Sequence, residues 1–173
     1  MADTVHPLCA ALSWAPEVPG DISAKGVVIP AMTRPKLASD ETALDFVERI
    51  NRRSPDAIAE LMTDDHVFVD SLGQMRSGRE QMRTNWARYL AMFPDYAVEV
   101  DRTFTDGRVV VLLGRARGTY APDGVPVEEN RWEMPAAWRA VIRSGLVSEW
   151  QVYADNSPVA KIIERASGRA GPN

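Results

Sequence analysis

The residues with the clearest chemical potential are an acid and a histidine on one short apolar run. The run His66-Val67-Phe68-Val69-Asp70 alternates in the manner of a β-strand and ends on the carboxylate. A carboxylate against an apolar wall can take a proton from a carbon beside a carbonyl group and return it elsewhere. Because alternate residues of a strand face the same way, His66 shares a face with Asp70 and is a candidate second acid or base.

Both residues also have purely structural interpretations. The turn sequence Ser71-Leu72-Gly73 follows Asp70, so this carboxylate could accept hydrogen bonds from the turn. His66 could be a partly buried histidine near the start of the strand. The sequence alone leaves both alternatives open.

Several aromatic residues are candidates for contact with a substrate. Trp86 and Tyr89 lie on one apolar stripe of a predicted helix, and Trp150 lies in a predicted strand. Aromatic residues at helical spacing more often form a plain core, and this interpretation stays open beside the first. The predicted aromatic contacts are Phe46, Phe68, Trp86, Tyr89 and Trp150.

The composition excludes several classes of site. The chain has two histidines, His6 and His66, and one cysteine, Cys9, so neither a multi-histidine nor a cysteine-based metal site is expected. Phosphate-binding loops, dinucleotide fingerprints and nucleophile motifs are absent, so we expect no cofactor. The formal charge of −4 gives no broad electrostatic footprint for nucleic acid.

Location is predicted from two further features of the sequence. No stretch approaches the roughly 20 apolar residues that a membrane helix requires, so no membrane partner is expected. The first residues lack the cationic region of a signal peptide. We therefore expect a cytoplasmic protein.

Helix signals come first along the chain and strand signals later, which predicts an α+β fold. Ser39 is a plausible N-cap for a first helix, and Ser54 with Pro55 begins a second. A third helix follows Gly78, and Pro94 ends it. Strand-like segments then cover residues 96–104, 109–120, 131–142 and 146–154.

Composition divides the chain into three parts. Residues 1–38 are rich in proline and show no sustained period, so we predict a flexible N-terminal extension. Residues 39–165 form one predicted domain. Residues 166–173 are predicted to be a flexible C-terminal end.

The order of elements, with these motifs, resembles the nuclear-transport-factor-two-like superfamily, and most closely the SnoaL-like polyketide cyclases and ketosteroid isomerases. The stretches Phe46 to Ile50, Asp56 to Ile58 and Asp64 to Asp70 resemble the family's helix-helix-strand run without a gap. The resemblance implies a cone-shaped, cystatin-like α+β barrel, with N-terminal helices packed on a strongly curved, mostly antiparallel sheet. It also implies an apolar pocket, with Asp70 in the position of the family's general base.

Two departures from the isomerases bear on mechanism. The resemblance places Phe46 where the isomerases have a tyrosine, and Ala137 where they have a protonated acid. Both are hydrogen-bond donors to the substrate oxygen, and losing one such donor typically costs about 100- to 1,000-fold in rate. Steroid isomerisation is therefore disfavoured. Epoxide hydrolysis is disfavoured too, because Val152 stands where the resemblance implies an acid on the last strand.

Arg139 has two possible orientations. The resemblance turns Ala137 and Arg139 toward the pocket, where Arg139 could pair with Asp70 or hold an anionic ligand. Plain alternation instead places Trp138 with Ala140 and Ile142 in the core and leaves Arg139 facing solvent.

We therefore expect a protein that binds a small apolar, ring-containing molecule. The chemistry that it could perform is cofactor-free cyclisation, isomerisation or dehydration with Asp70 as the acid/base. The alternative is a non-catalytic ligand-binding or dimerisation module, which the missing donors favour. The resemblance implies a homodimer, with Trp138 and Tyr153 as candidate interface residues.

Overall fold

The structure, a computed structural model, describes residues 37–169 of the 173-residue chain. The predicted N-terminal extension lies outside these residues except for its last two, which begin the first helix. Within the described range, four helices pack on a six-stranded mixed sheet that is not closed. The α+β class predicted from the sequence is confirmed.

Helix α1 spans Leu37–Asn51 and helix α2 spans Pro55–Glu60. Ser54 caps α2 as predicted, because its hydroxyl accepts a hydrogen bond from the backbone N–H of Ala57. The predicted cap Ser39 is wrong: it lies inside the first turn of α1, and its hydroxyl donates to the Gly107 carbonyl instead.

Strand β1 spans Met62–Val69, β2 spans Met75–Ser77 and α3 spans Arg79–Met92. Strand β1 starts four residues before the alternating run in the sequence. The exposed pair Asp64-Asp65 interrupts the alternation, so the first half of the strand was not predicted. The backbone N–H of Gly78 donates to the His66 carbonyl, which fixes the start of α3 beside β1.

The remaining strands form an antiparallel meander. Strand β3 spans Ala97–Asp106, β4 spans Val109–Thr119, β5 spans Arg131–Arg143 and β6 spans Leu146–Tyr153. The sheet order is β2-β1-β6-β5-β4-β3, in which only β1 and β6 are parallel. The first strand therefore lies next to the last one.

The pairing of β3 with β4 shifts register between Val100 and Arg102, opposite Gly114. A Cβ atom on Gly114 would lie 1.9 Å from the Glu99 carbonyl oxygen, so no larger residue fits without moving the backbone. Such an irregularity bends a strand and raises its twist.

The helices cover one face of the sheet, which we call the inner face. Alternate residues of β5 are buried against the helices from Trp132 to Ile142, and they include Trp138. The plain alternation is therefore the correct one. The prediction that Trp138 serves an interface is wrong, because its side chain lies in the core.

A fourth helix, α4, spans Ser157–Arg169 and was not predicted. It continues past residue 166, where the sequence predicted the flexible end to begin. The missed signal is the helical spacing of its apolar residues Val159, Ile162, Ile163 and Ala166, which pack against the core. Among the described residues, no helix is long and apolar enough to cross a membrane.

Candidate functional site

His66 lies on the inner face of β1 and is 0% exposed to solvent. Its Nδ1 atom is 2.8 Å from the carbonyl oxygen of Val147 on the neighbouring strand. Burial lowers the pKa of His66 below its usual value, although the bond to Val147 and the charge of Asp65 partly oppose this. The ring is therefore neutral at pH 7.

The hydrogen bond of His66 decides which ring nitrogen carries the proton. A carbonyl oxygen can only accept, so Nδ1 carries the proton and donates it to Val147. The Nε2 atom then presents a lone pair. It is buried and has no hydrogen-bond partner among residues 37–169. His66 is thus an acceptor without a donor.

The His66 ring lies at one end of an aromatic group. The ring of Phe46, on α1, lies 6.2 Å from the ring of His66 and 4.8 Å from the ring of Trp150. Phe68 is opposite Trp150 across the parallel strand pair. The structure therefore brings together four predicted site residues: Phe46, His66, Phe68 and Trp150.

Asp70 directly follows β1 and is half-buried. Its Oδ1 atom accepts hydrogen bonds from the backbone N–H groups of Leu72 and Gln74, each at 2.9 Å. One carboxylate oxygen thus holds the turn between β1 and β2. The other oxygen, Oδ2, has no hydrogen-bond partner in the described part of the chain.

A second aromatic group lies between α3 and the sheet. Tyr89 packs against Trp86 at 6.0 Å and against Tyr96 at 5.0 Å, both edge to face, and Tyr96 lies 6.1 Å from Trp132. Burial raises the pKa of both tyrosine hydroxyls, so they stay protonated. The indole N–H groups of Trp86 and Trp132 are buried without an acceptor on the described residues.

Sequence reasoning missed Tyr96 and Trp132 as members of this group. The alternation of β5 places Trp132 in the core. This signal was missed because the resemblance assigned the other face of β5, with Ala137 and Arg139, to the pocket. Tyr96 precedes β3 and shows no pattern of its own.

The structure places Ala137 and Arg139 on the outer face of the sheet. The Arg139 guanidinium forms an ion pair with Glu149 at 2.9 Å and donates to Gln151 at 2.9 Å, both on β6. Because it faces away from the helices, Arg139 does not pair with Asp70. Val152 is opposite Trp138 and lies half-buried on the inner face.

The two cavities described in the structure lie away from these residues. One, of about 380 Å³, is lined by Asp101, Gly114, Arg115, Glu133, Met134 and Pro135. The other, of about 360 Å³, lies beside Asp95 and Thr119. The inner face is filled by side chains of the core.

The described residues contain no group of three His, Cys, Asp or Glu side chains that could hold a metal ion. The buried side-chain polar atoms without a hydrogen-bond partner among the described residues are Thr63 Oγ1, His66 Nε2 and the indole Nε1 atoms of Trp86 and Trp132.

Comparison with known proteins identifies this architecture. Residues 43–150 match the model of the SnoaL-like domain family. The match starts in α1 and ends at Trp150 in β6, so it contains the aromatic surroundings of His66 but excludes α4. No curated protein sequence matches the chain.

Solved structures share the fold at low identity. A protein with a ketosteroid isomerase-like fold from Catenulispora acidiphila, in complex with trimethylamine, is 24% identical with a TM-score of 0.61, covering 70% of this chain and 90% of its own. An epoxide hydrolase of Mycobacterium tuberculosis is 16% identical with a TM-score of 0.63, covering 78% and 96%. A cystatin-fold protein from Novosphingobium aromaticivorans is 24% identical with a TM-score of 0.53, covering 65% and 94%. The predicted resemblance and architecture are confirmed.

Proposed function

The chain belongs to the SnoaL-like domain family, and we propose that it binds a small, neutral, ring-containing molecule between its helices and the inner face of the sheet, where core side chains must move apart to admit it. The observation that carries this proposal is the unpaired Nε2 acceptor of His66 inside an aromatic surrounding. An unsatisfied buried polar group costs about 1–3 kcal/mol, so a ligand that donates a hydrogen bond there gains that energy on binding.

The surroundings of His66 support a neutral ligand. The buried polar residues in the described range are Thr63, His66, Thr119 and Asn130, none of which carries a charge at pH 7. An anionic ligand would be buried there without a cationic partner and near the charge of Asp65, which is costly. Rings beside Phe46 and Trp150 favour a flat apolar body with one hydroxyl or amine donor.

The test is a pair of substitutions at His66. His66→Asn keeps a donor for Val147 at the position of Nδ1 but removes the Nε2 acceptor, whereas His66→Gln places an amide near the position of Nε2. A panel of neutral ring compounds with single hydroxyl groups is titrated into the labelled full chain, and amide shifts report binding. The best binder of the wild type should lose about 5- to 150-fold in affinity in His66→Asn, which corresponds to about 1–3 kcal/mol.

In this titration, two results would contradict the proposal. One is equal affinity in the wild type and in both His66 variants. The other is a set of shifted amides confined to the outer face of the sheet. Folding of each variant is checked by its urea unfolding curve.

Catalysis at the same place is the second candidate, and the free Oδ2 of Asp70 favours it. Asp70 and His66 lie two alternate positions apart on β1, so a substrate anchored at Nε2 has a carboxylate at the edge of its site. The reaction would be a cofactor-free proton transfer, as in cyclisation, isomerisation or dehydration. Asp70→Asn would abolish such a turnover, and unchanged turnover would remove Asp70 from the mechanism.

We also propose that the protein assembles as a homodimer through the outer face of the sheet. Phe104, Leu113 and Tyr153 are 54%, 38% and 49% exposed there, with Ala137 half-buried between Leu113 and Tyr153. An exposed apolar surface of this kind is typical of an interface. A location in the cytoplasm stays a prediction from the sequence.

A further inference from the structure

One end of the sheet gathers the edges of the proposed site. The parallel and antiparallel pairings bring the ends of β1, β4 and β6 together with the starts of β3 and β5. Asp70 lies at this end, and the bond from the Ala121 N–H to the Met92 carbonyl brings the end of α3 there as well. A molecule could reach the space between helices and sheet from this end, which we call the mouth.

Helix α4 crosses the mouth from one side to the other. Just before it, the Asn156 side chain donates to the Ser71 hydroxyl at 2.8 Å, beside the end of β1. Near its other end, Arg165 donates to the Asn130 side chain at 3.1 Å and to the Glu129 carbonyl, beside the start of β5. The helix therefore extends from the end of β1 past β6 to the start of β5, which are three adjacent strands of the sheet.

Helix α4 buries few apolar side chains for a helix of this length. Ile162 is its one buried residue among those with a described side chain, at 9% exposure, and the other apolar residues of the helix are at most half-buried. Strand β5, in contrast, buries alternate residues along most of its length. Segments with few buried apolar contacts open at lower free energy than the core.

We propose that α4 is a lid over the mouth, in which Ile162 is the plug and Arg165 is the latch. The lid opens as a unit while the sheet and helices α1 to α3 stay folded. The match to the SnoaL-like domain ends within β6, so α4 lies outside the matched region. The role of the lid in ligand entry rests on the proposed function, but its opening does not.

The test is hydrogen exchange of the full chain without any ligand. Amides of α4 should exchange at least about tenfold faster than those of β4 and β5, because local opening exposes only the helix. Arg165→Gln should speed α4 exchange by about a further fivefold or more, because it loses the hydrogen bonds to Glu129 and Asn130. The control is Lys161→Gln, which removes a positive charge from the same helix but no hydrogen bond in the described part of the chain.

Both arms of this experiment can overturn the lid. If α4 and β5 amides exchange at the same rate, the helix is an integral part of the core. If Arg165→Gln speeds α4 exchange no more than Lys161→Gln does, Arg165 is not a latch. Neither result depends on His66, so a failure of the lid and a failure of ligand binding are distinguishable.

A thiol at the plug gives an independent measurement. Ile162→Cys in a Cys9→Ser background carries one cysteine, whose reaction with a thiol reagent requires the helix to lift. The reaction should be faster in Arg165→Gln than with the latch intact, and in both backgrounds faster than global unfolding allows, which urea unfolding measures. An equal reaction rate with and without the latch would contradict the proposal.

Discussion

At the scale of single residues, two polar side chains on β1 have different tasks. Asp70 uses Oδ1 to hold the β1–β2 turn, whereas His66 buries an acceptor that nothing in the described structure satisfies. Oδ1 of Asp70 therefore stabilises the turn, as one of the two interpretations of the sequence predicted. A role of Oδ2 in acid/base chemistry stays a proposal. The polar anchor of the proposed site is therefore His66.

The turn contacts of Asp70 predict unequal effects of two substitutions. Asp70→Asn keeps an oxygen that accepts from Leu72 and Gln74, so the free energy of unfolding should change little. Asp70→Ala removes both bonds and should cost about 1–3 kcal/mol. Urea unfolding of both variants measures the difference, and equal stabilities would show that the carboxylate does not hold the turn.

Burial of His66 predicts a pH dependence of stability. Its pKa is lower in the folded protein than the usual 6.5, so the unfolded state binds more protons as pH falls. The free energy of unfolding is therefore highest above pH 6.5 and decreases as the pH falls below this value. The limiting slope of this decrease is about 1.4 kcal/mol per pH unit. Urea midpoints from pH 7.5 to 5.5 should fall more steeply in the wild type than in His66→Gln, and parallel curves would contradict this.

At the scale of elements, the bend of the sheet depends on one close approach of two backbones. Gly114 faces the Glu99 carbonyl at the register shift between β3 and β4. Helix α1 contacts β3 and β4, so the bend affects the position of Phe46, whose ring lies beside His66.

Gly114→Ala should therefore destabilise the protein strongly. Its Cβ would lie 1.9 Å from a backbone oxygen that cannot move alone, and we expect a cost of about 3 kcal/mol or more. The control is Gly168→Ala in α4, where a Cβ meets nothing within 4 Å and a gain of up to about 1 kcal/mol is expected. Thermal unfolding compares the two, and a Gly114→Ala protein as stable as the wild type would contradict the close approach.

The elements show where sequence reasoning works in this chain. Local signals were sufficient where one residue acts on its neighbours, as at the Ser54 cap. Alternation alone assigned the faces of β5 correctly, whereas the resemblance turned Ala137 and Arg139 the wrong way. The helix α4 was not predicted because it follows the last strand and only a few apolar residues carry its helical spacing.

The candidate site was predictable only in part. The pairing of Phe46 with His66 and Trp150 joins residues 20 and 104 positions apart from Phe46, and only the resemblance pointed to that contact. The tautomer of His66 could not be predicted, because it depends on the Val147 carbonyl of a strand that is distant in sequence.

At the scale of the whole molecule, the two faces of the sheet have different roles in this account. The inner face carries the core and the proposed ligand site, and the outer face carries exposed apolar residues around the Arg139–Glu149 pair. A homodimer through the outer face would cover these exposed apolar residues and leave the mouth accessible.

Leu113→Lys should therefore shift the protein toward monomer in sedimentation experiments. A charge introduced in a buried apolar interface typically weakens association strongly. Val125→Lys is the control, because Val125 is exposed in a loop away from the outer face. A wild type that is monomeric at all concentrations, or a Leu113→Lys protein that associates as the wild type does, would contradict the proposed interface.

The central claim is that a ligand donates a hydrogen bond to Nε2 of His66 at the inner face. The most direct measurement is the ¹⁵N spectrum of the imidazole rings, which is simple because the chain has only two histidines. When the best binder of the compound panel is added, the Nε2 resonance of His66 should move while its Nδ1 resonance stays in place. A saturated ligand that leaves the Nε2 resonance unchanged would contradict the account.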